Sequence, residues 1–258
     1  MRTSIKALAA SLFMAGFGLA ASPAFAEDTA PPSDITFSGY VQGVTDYRFR
    51  GLSASAGDPA IQGTININHS SGFYAGAWAS SIDAGAAYGE VELDVYAGWT
   101  GPVTPGVTAD VGLLRYVYPS NDSNGPVDYW EPYASVSTTV GPVGAKLGVA
   151  YAWKQRALDT DGDGDKDDNL YVFTDLNAGI PGTPLSLTGH LGYADGAQDP
   201  DFLTGASLRQ GSGFDYSAGV TYNVTDKLSV SANYVGVDGR SIDEFSNDTV
   251  VATVKLAL

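Results

Sequence analysis

The chain has 258 residues, no cysteine, and 13 basic against 29 acidic residues, for a formal net charge of −16. That balance argues against a nucleic-acid partner, because phosphate binding needs a basic face, and a chain without cysteine gains nothing from disulfides. Glycine (32) and tyrosine (15) are abundant, which suits an all-β protein rich in tight turns.

Residues 1–26 read as a cleaved signal peptide. Arg2 and Lys6 give a basic start, an apolar run covers Ala7–Ala21, and Ala24-Phe25-Ala26 is a small-x-small cleavage site. Removing Arg2 and Lys6 leaves 11 basic and 29 acidic residues, a net of −18. The rest of the chain holds no run of eighteen apolar residues, so no transmembrane helix is expected. Residues 27–34, EDTAPPSD, read as a short lead-in to a single domain over 35–258.

From residue 35 onward, apolar residues recur at every second position, the strand period. The first predicted strand is Ile35 to Arg50, with Ile35, Phe37, Val41, Tyr47 and Phe49 on one face. Ile61 to Ile67 and Phe73 to Ser80 follow. The fourth strand, EVELDVYAGW, sets Val91, Leu93, Val95, Ala97 and Trp99 against Glu90, Glu92, Asp94 and Tyr96. Val107–Tyr118 alternates less well, and a bulge is expected near Leu113–Leu114. Next comes DYWEPYASVSTTV, with Trp130, Ala134, Val136 and Val140 opposite Tyr129, Glu131, Tyr133 and Ser135. Val143–Trp153, Leu170–Ile180, Leu185–Tyr193, Phe214–Val224, Leu228–Gly236 and Thr249–Leu258 bring the expected count to about twelve strands.

The joins alternate as well. Those after the even strands are short: SSG, TGPVTPG, GP, PGTP and TDK. Those after the odd strands are longer, at 51–59, 81–89, 119–127, 154–168, 194–213 and 237–247. An even strand count with short turns at one end and long loops at the other is the pattern of a transmembrane antiparallel β-barrel, with periplasmic turns and extracellular loops. Strands of about 9–11 residues suit a tilted bilayer crossing. Tyr47 and Phe49 then belong to an aromatic girdle with Tyr151, Trp153, Tyr193 and Phe214. Asp46, Arg48 and Arg50 face the lumen.

The stretch VTDYRFRGLSAS, following strand one, resembles the TorF porin family. Members of this proteobacterial group carry a TDYxFRGxS stretch soon after the signal peptide. Here it is Thr45, Asp46, Tyr47, Phe49, Arg50, Gly51 and Ser53, and VELDVYAGW (Val91–Trp99) is similar to the family downstream. The resemblance implies an outer-membrane β-barrel with a channel role, and it supplies neither catalytic residues nor a substrate. Many outer-membrane barrels finish on Phe, whereas this chain finishes VKLAL, with Leu258 keeping the alternation.

Three constellations could carry chemistry. The first is the lumen wall, with Asp46, Arg48, Arg50, Glu90, Glu92, Asp94 and Glu131 expected to line the pore. Opposed basic and acidic walls filter solutes by charge, while the same residues paired off would plug the barrel. The second is DTDGDGDKDD, Asp159 to Asp168. Asp159, Asp161, Asp163 and Asp167 occupy positions 1, 3, 5 and 9 of an EF-hand-type loop with Gly164 at position 6, but Leu170 stands at position 12. A weak Ca2+ site is the expectation; the alternative is a solvated acidic loop. The third is histidine. His69 falls at a turn and His190 on a lumen face, with no nucleophile elbow and no group evidently placed to orient it, so no enzyme is expected.

These readings converge on a porin-like channel in the outer membrane of a Gram-negative bacterium, passing small hydrophilic solutes and contacting outer-membrane lipids and lipopolysaccharide. No cofactor is required. The alternative is a structural or surface-interaction barrel with a plugged lumen and cation-binding acidic loops. Oligomeric state is left open.

Overall fold

The computed structural model describes residues 33–258 apart from 86, 123, 124 and 208. The expected signal peptide, 1–26, and residues 27–32 of the lead-in lie outside the described residues.

Twelve strands close into an antiparallel barrel. In chain order they are β1 (Ile35–Val44), β4 (Ala60–His69), β5 (Phe73–Ser81), β6 (Val91–Thr104), β7 (Val107–Val117), β8 (Tyr129–Val140), β9 (Val143–Gln155), β10 (Asp167–Gly179), β11 (Leu185–Gly196), β12 (Gly211–Asn223), β13 (Leu228–Val237) and β14 (Thr249–Ala257). Each pairs with its neighbours along this order, and β1 closes the ring by pairing β14 as well as β4. A separate two-stranded ribbon, β2 (Arg48–Phe49) with β3 (Leu52–Ser53), lies between β1 and β4.

The period-2 pattern sorts side chains to two sides of one sheet. Outside stand Phe37, Ile61, Ile65, Val136, Leu147 and Val254, all exposed. Inside stand Gln42, Gln62, Asn66, Glu92, Asp94, Glu131 and Lys146, all buried. This is the reverse of a water-soluble barrel, and an apolar band of this kind suits hydrocarbon. Tyr151, Trp153 and Phe214 are exposed near the long-loop end of their strands, where aromatic residues of a girdle sit.

The short joins run 70–72, 105–106, 141–142, 180–184 and 224–227, and the long ones 45–59, 82–90, 118–128, 156–166, 197–210 and 238–248. Two expectations are corrected. No bulge occurs at Leu113–Leu114, where pairing to β6 and β8 is continuous and the register shift falls instead at Pro102/Thr104. Leu113 faces out and Leu114 is buried inside; an apolar lumen residue had blurred the alternation. Second, strand one stops at Val44 rather than Arg50. Tyr47 is buried and Phe49 half-buried, so neither joins an outer girdle. The chain leaves the wall there and folds into the lumen.

Candidate functional site

The inward turn begins at Thr45. Its amide donates to the Ala252 carbonyl at 3.0 Å, and its hydroxyl accepts from the Ala252 amide at 3.0 Å, holding the departure point against β14. The ribbon then reverses at Arg50 and Gly51, both with positive φ (48° and 82°). Two successive left-handed residues form the tight hairpin turn that matches strand twist. Glycine does this freely, whereas an arginine is strained there by roughly 1–2 kcal/mol. A Cβ on Gly51 would stand 2.8 Å from Cβ of Val237 and 3.0 Å from Cβ of Asp215. The tip therefore presses against β12 and β13, which follow β14 around the ring from β1.

Arg50 anchors that tip. Its Nη2 donates to both carboxylate oxygens of Glu131 at 2.8 Å, and its Nη1 donates to Gln198 in the 197–210 loop. The guanidinium carbon lies 4.1 Å from the Tyr171 ring centre and 4.8 Å from that of Phe49, a cation–π arrangement. Burial is the largest influence and disfavours its charge, but the Glu131 carboxylate together with the hydroxyls of Tyr116, Tyr129 and Tyr171 outweighs it and holds the guanidinium proton above its ordinary range. Removing one partner of such a buried pair typically costs about 3–5 kcal/mol.

Arg48 performs the second fastening. Its Nε donates to Asp46 at 2.5 Å, and its Nη1 donates to the carbonyls of Gly51, Phe245 and Asn247 at 3.2, 3.1 and 3.0 Å. Asp46 also accepts from the hydroxyls of Ser53 (2.7 Å) and Ser55 (3.2 Å). The ribbon is thus tied to the 238–248 loop, while Asp83 donates to Ala54 from the 82–90 loop at 2.9 Å. Beneath, Tyr47 packs on Trp78 with ring centres 5.4 Å apart, and Phe49 meets Tyr116 edge-on at 5.8 Å. Above the ribbon a cavity of about 150 Å³ opens between Arg50, Tyr88, Tyr118, Tyr129, Leu158 and Gln198.

Of the residues expected to line the pore, Asp46, Arg48 and Arg50 lie in the lumen on this plug rather than on a barrel strand. Glu131 meets Arg50. Glu92 and Asp94, on β6, are 3% and 1% exposed, with the Tyr47 hydroxyl in reach of Glu92. Glu90 is corrected: it precedes β6 in the 82–90 loop and is exposed, outside this group.

Nearer the short turns, polar groups form bonded rows. The Tyr74 hydroxyl donates to Asp110 at 2.6 Å and lies 2.5 Å from that of Tyr133. His190 was expected to lack an orienting group, and this too is corrected. Its Nδ1 lies 2.6 Å from Asp175, and its Nε2 lies 2.9 Å from both Asp215 and the Tyr171 hydroxyl. Only register reveals this, since Asp175 sits directly across from His190 on β10 while Asp215 comes from β12.

In the 156–166 loop and the start of β10, carboxylate oxygens of Asp159, Asp161 and Asp167 lie within 4.8 Å of one another. Asp163 is outside this trio and accepts instead from the Asp165 amide at 2.8 Å.

A family model described as "Bacterial protein of unknown function (Gcw_chp)" matches residues 28–257. No curated protein matches the chain. Among solved structures, the NanC porin is similar at a TM-score of 0.58 and 12% identity, covering 85% of this chain and 98% of its own. The KdgM porin aligns at 0.54 and 9% identity over 86% of this chain and 98% of its own. An outer membrane channel from Pseudomonas putida F1, of the COG4313 group, aligns at 0.52 and 11% identity over 88% and 96%. At these identities the likeness is one of fold.

Proposed function

We propose that this chain, which belongs to the Gcw_chp family of bacterial proteins of unknown function, is a porin-like outer-membrane channel whose first loop closes its mouth. It passes small hydrophilic solutes by passive diffusion when that loop moves. The barrel's likeness to porins and an outer-membrane channel supports this reading, as does the resemblance of Thr45–Ser53 to the TorF porin family. The observation that carries it is the lumen itself, faced along its length with ionisable and amide side chains. A barrel serving only as a wall or scaffold would be more stable filled with apolar side chains, because buried charge is costly even when paired. The apolar outer band faces outer-membrane lipids and lipopolysaccharide. A Ca2+ ion at Asp159, Asp161 and Asp167 would stiffen an outer loop and need take no part in conduction.

The bidentate Arg50–Glu131 pair favours a second reading, a barrel plugged permanently. Planar-bilayer recording separates the two. Wild type should open rarely, and Arg50→Gln/Glu131→Gln, which removes the latch without stranding a charge, should raise open probability at least roughly tenfold, the equivalent of about 1.4 kcal/mol. If neither protein conducts and neither lets small sugars swell liposomes, the plugged barrel is the correct description.

A further inference from the structure

We propose that Glu92 and Asp94 form a cation-binding station in the lumen, which makes small hard cations the solute class of the channel. The assignment of solute class rests on the channel reading above; the binding site does not. The two residues are two apart on β6 and so face the same side of the wall. Asp94 is 1% exposed, and neither of its carboxylate oxygens has a hydrogen-bond partner among the described residues. The charged groups that act on it are Glu92 and Glu131, both acids. The two arginines of the plug are committed elsewhere, Arg50 to Glu131 and Arg48 to Asp46.

A buried carboxylate with neither donors nor a counter-charge is the costliest way to place a polar group in a protein. In native structures such a group marks stored strain, a functional role, or a bound water or ion that supplies what the chain does not. The ligand here is specified by its donors. Two carboxylates, with the Tyr47 hydroxyl in reach of one, give an all-oxygen set that suits a hard inorganic cation rather than a soft one. Low-dielectric walls strengthen the attraction, and acidic side chains in a pore are a standard means of selecting cations. The plug touches the station through Tyr47, so the site lies directly under the mouth that the first loop closes.

Binding is tested in the full-length protein in detergent micelles, with Asp159→Asn/Asp161→Asn as background so that the acidic loop contributes nothing. Thermal unfolding is followed by circular dichroism in KCl, CaCl2 and choline chloride at equal ionic strength. The midpoint should be higher in KCl or CaCl2 than in choline by roughly 3 °C or more, a shift of a size readable for a domain of this length. Glu92→Gln/Asp94→Asn should abolish the difference. If that variant does not fold, Asp94→Asn alone is read in the same way. Equal response of variant and parent to the small cations, or no response in the parent, overturns the site. Solute class is tested by reversal potential in a KCl gradient with the Arg50→Gln/Glu131→Gln latch already removed; that change deletes one charge of each sign. Cation preference should fall toward parity when Glu92 and Asp94 are neutralised, and unchanged selectivity removes them from the path. A latch-free protein that binds cations but does not conduct sinks the channel reading and leaves the site standing.

Discussion

Arg50 carries an arginine's cost twice, in a left-handed backbone and in a buried charge, and the charge is paired by Glu131. Its neighbour Gly51 has no substitute. A methyl there would meet Val237 at 2.8 Å and force the φ of 82° on a residue that resists it. Gly51→Ala should therefore weaken the seating of the plug by roughly 1–3 kcal/mol, the usual range for overpacking, while leaving the barrel closed. Trypsin treatment of the folded protein reads this, with faster cutting after Arg48 or Arg50 in the variant. Cutting at the wild-type rate would mean that the tip is not pressed against β12 and β13. The stretch from Thr45 to Ser53 is conspicuous in the sequence, but its charges read there as strand polarity. That Asp46 gathers Arg48, Ser53 and Ser55 could not be read, because alternation carries no information once the chain leaves the sheet.

Among the elements, the loops divide into those that fold inward and those that face outward. The 45–59 join enters the lumen, and the 197–210 and 238–248 joins hold it through Gln198, Phe245 and Asn247. The 156–166 join carries exposed Asp161 and Asp163 instead. Protease added to intact cells should cut within 154–168 and spare Pro181–Pro184, since exposed loop tips are where nicking concentrates. Millimolar Ca2+ should slow that cut if Asp159, Asp161 and Asp167 converge on the ion, and Asp161→Asn should erase the protection. Cleavage at Pro181–Pro184 in intact cells would invert the topology; protection that survives Asp161→Asn would move the site elsewhere. The spacing of the aspartates is legible along the chain. That Asp167 joins the trio while Asp163 does not is decided by the bend of the loop, where the Gly164 amide donates to Asp159 at 3.1 Å.

At the scale of the whole molecule, the barrel separates two surfaces of opposite character, and each strand contributes to both. Val149 lies mid-strand on β9, faces outward and pairs with Val172 and Ala134. Val149→Arg should cost about 2–4 kcal/mol, the penalty for a cation at the bilayer midplane of a barrel. Urea unfolding from lipid vesicles measures it. A loss below about 0.5 kcal/mol would mean that this face meets something other than hydrocarbon.

The sequence by itself determined the strand order, the two-faced wall and the alternation of short and long joins, because a period of two and turn residues at fixed intervals are local properties that neighbouring residues settle among themselves. Closure of the ring by β1 with β14 and the meeting of Arg50 with Glu131 belong to the tertiary structure, as do the encounter of His190 with Asp175 and Asp215 and the isolation of Asp94. Each joins groups far apart in the chain, and which groups meet depends on strand register and on which loop turns inward. Neither leaves a periodic trace in the sequence.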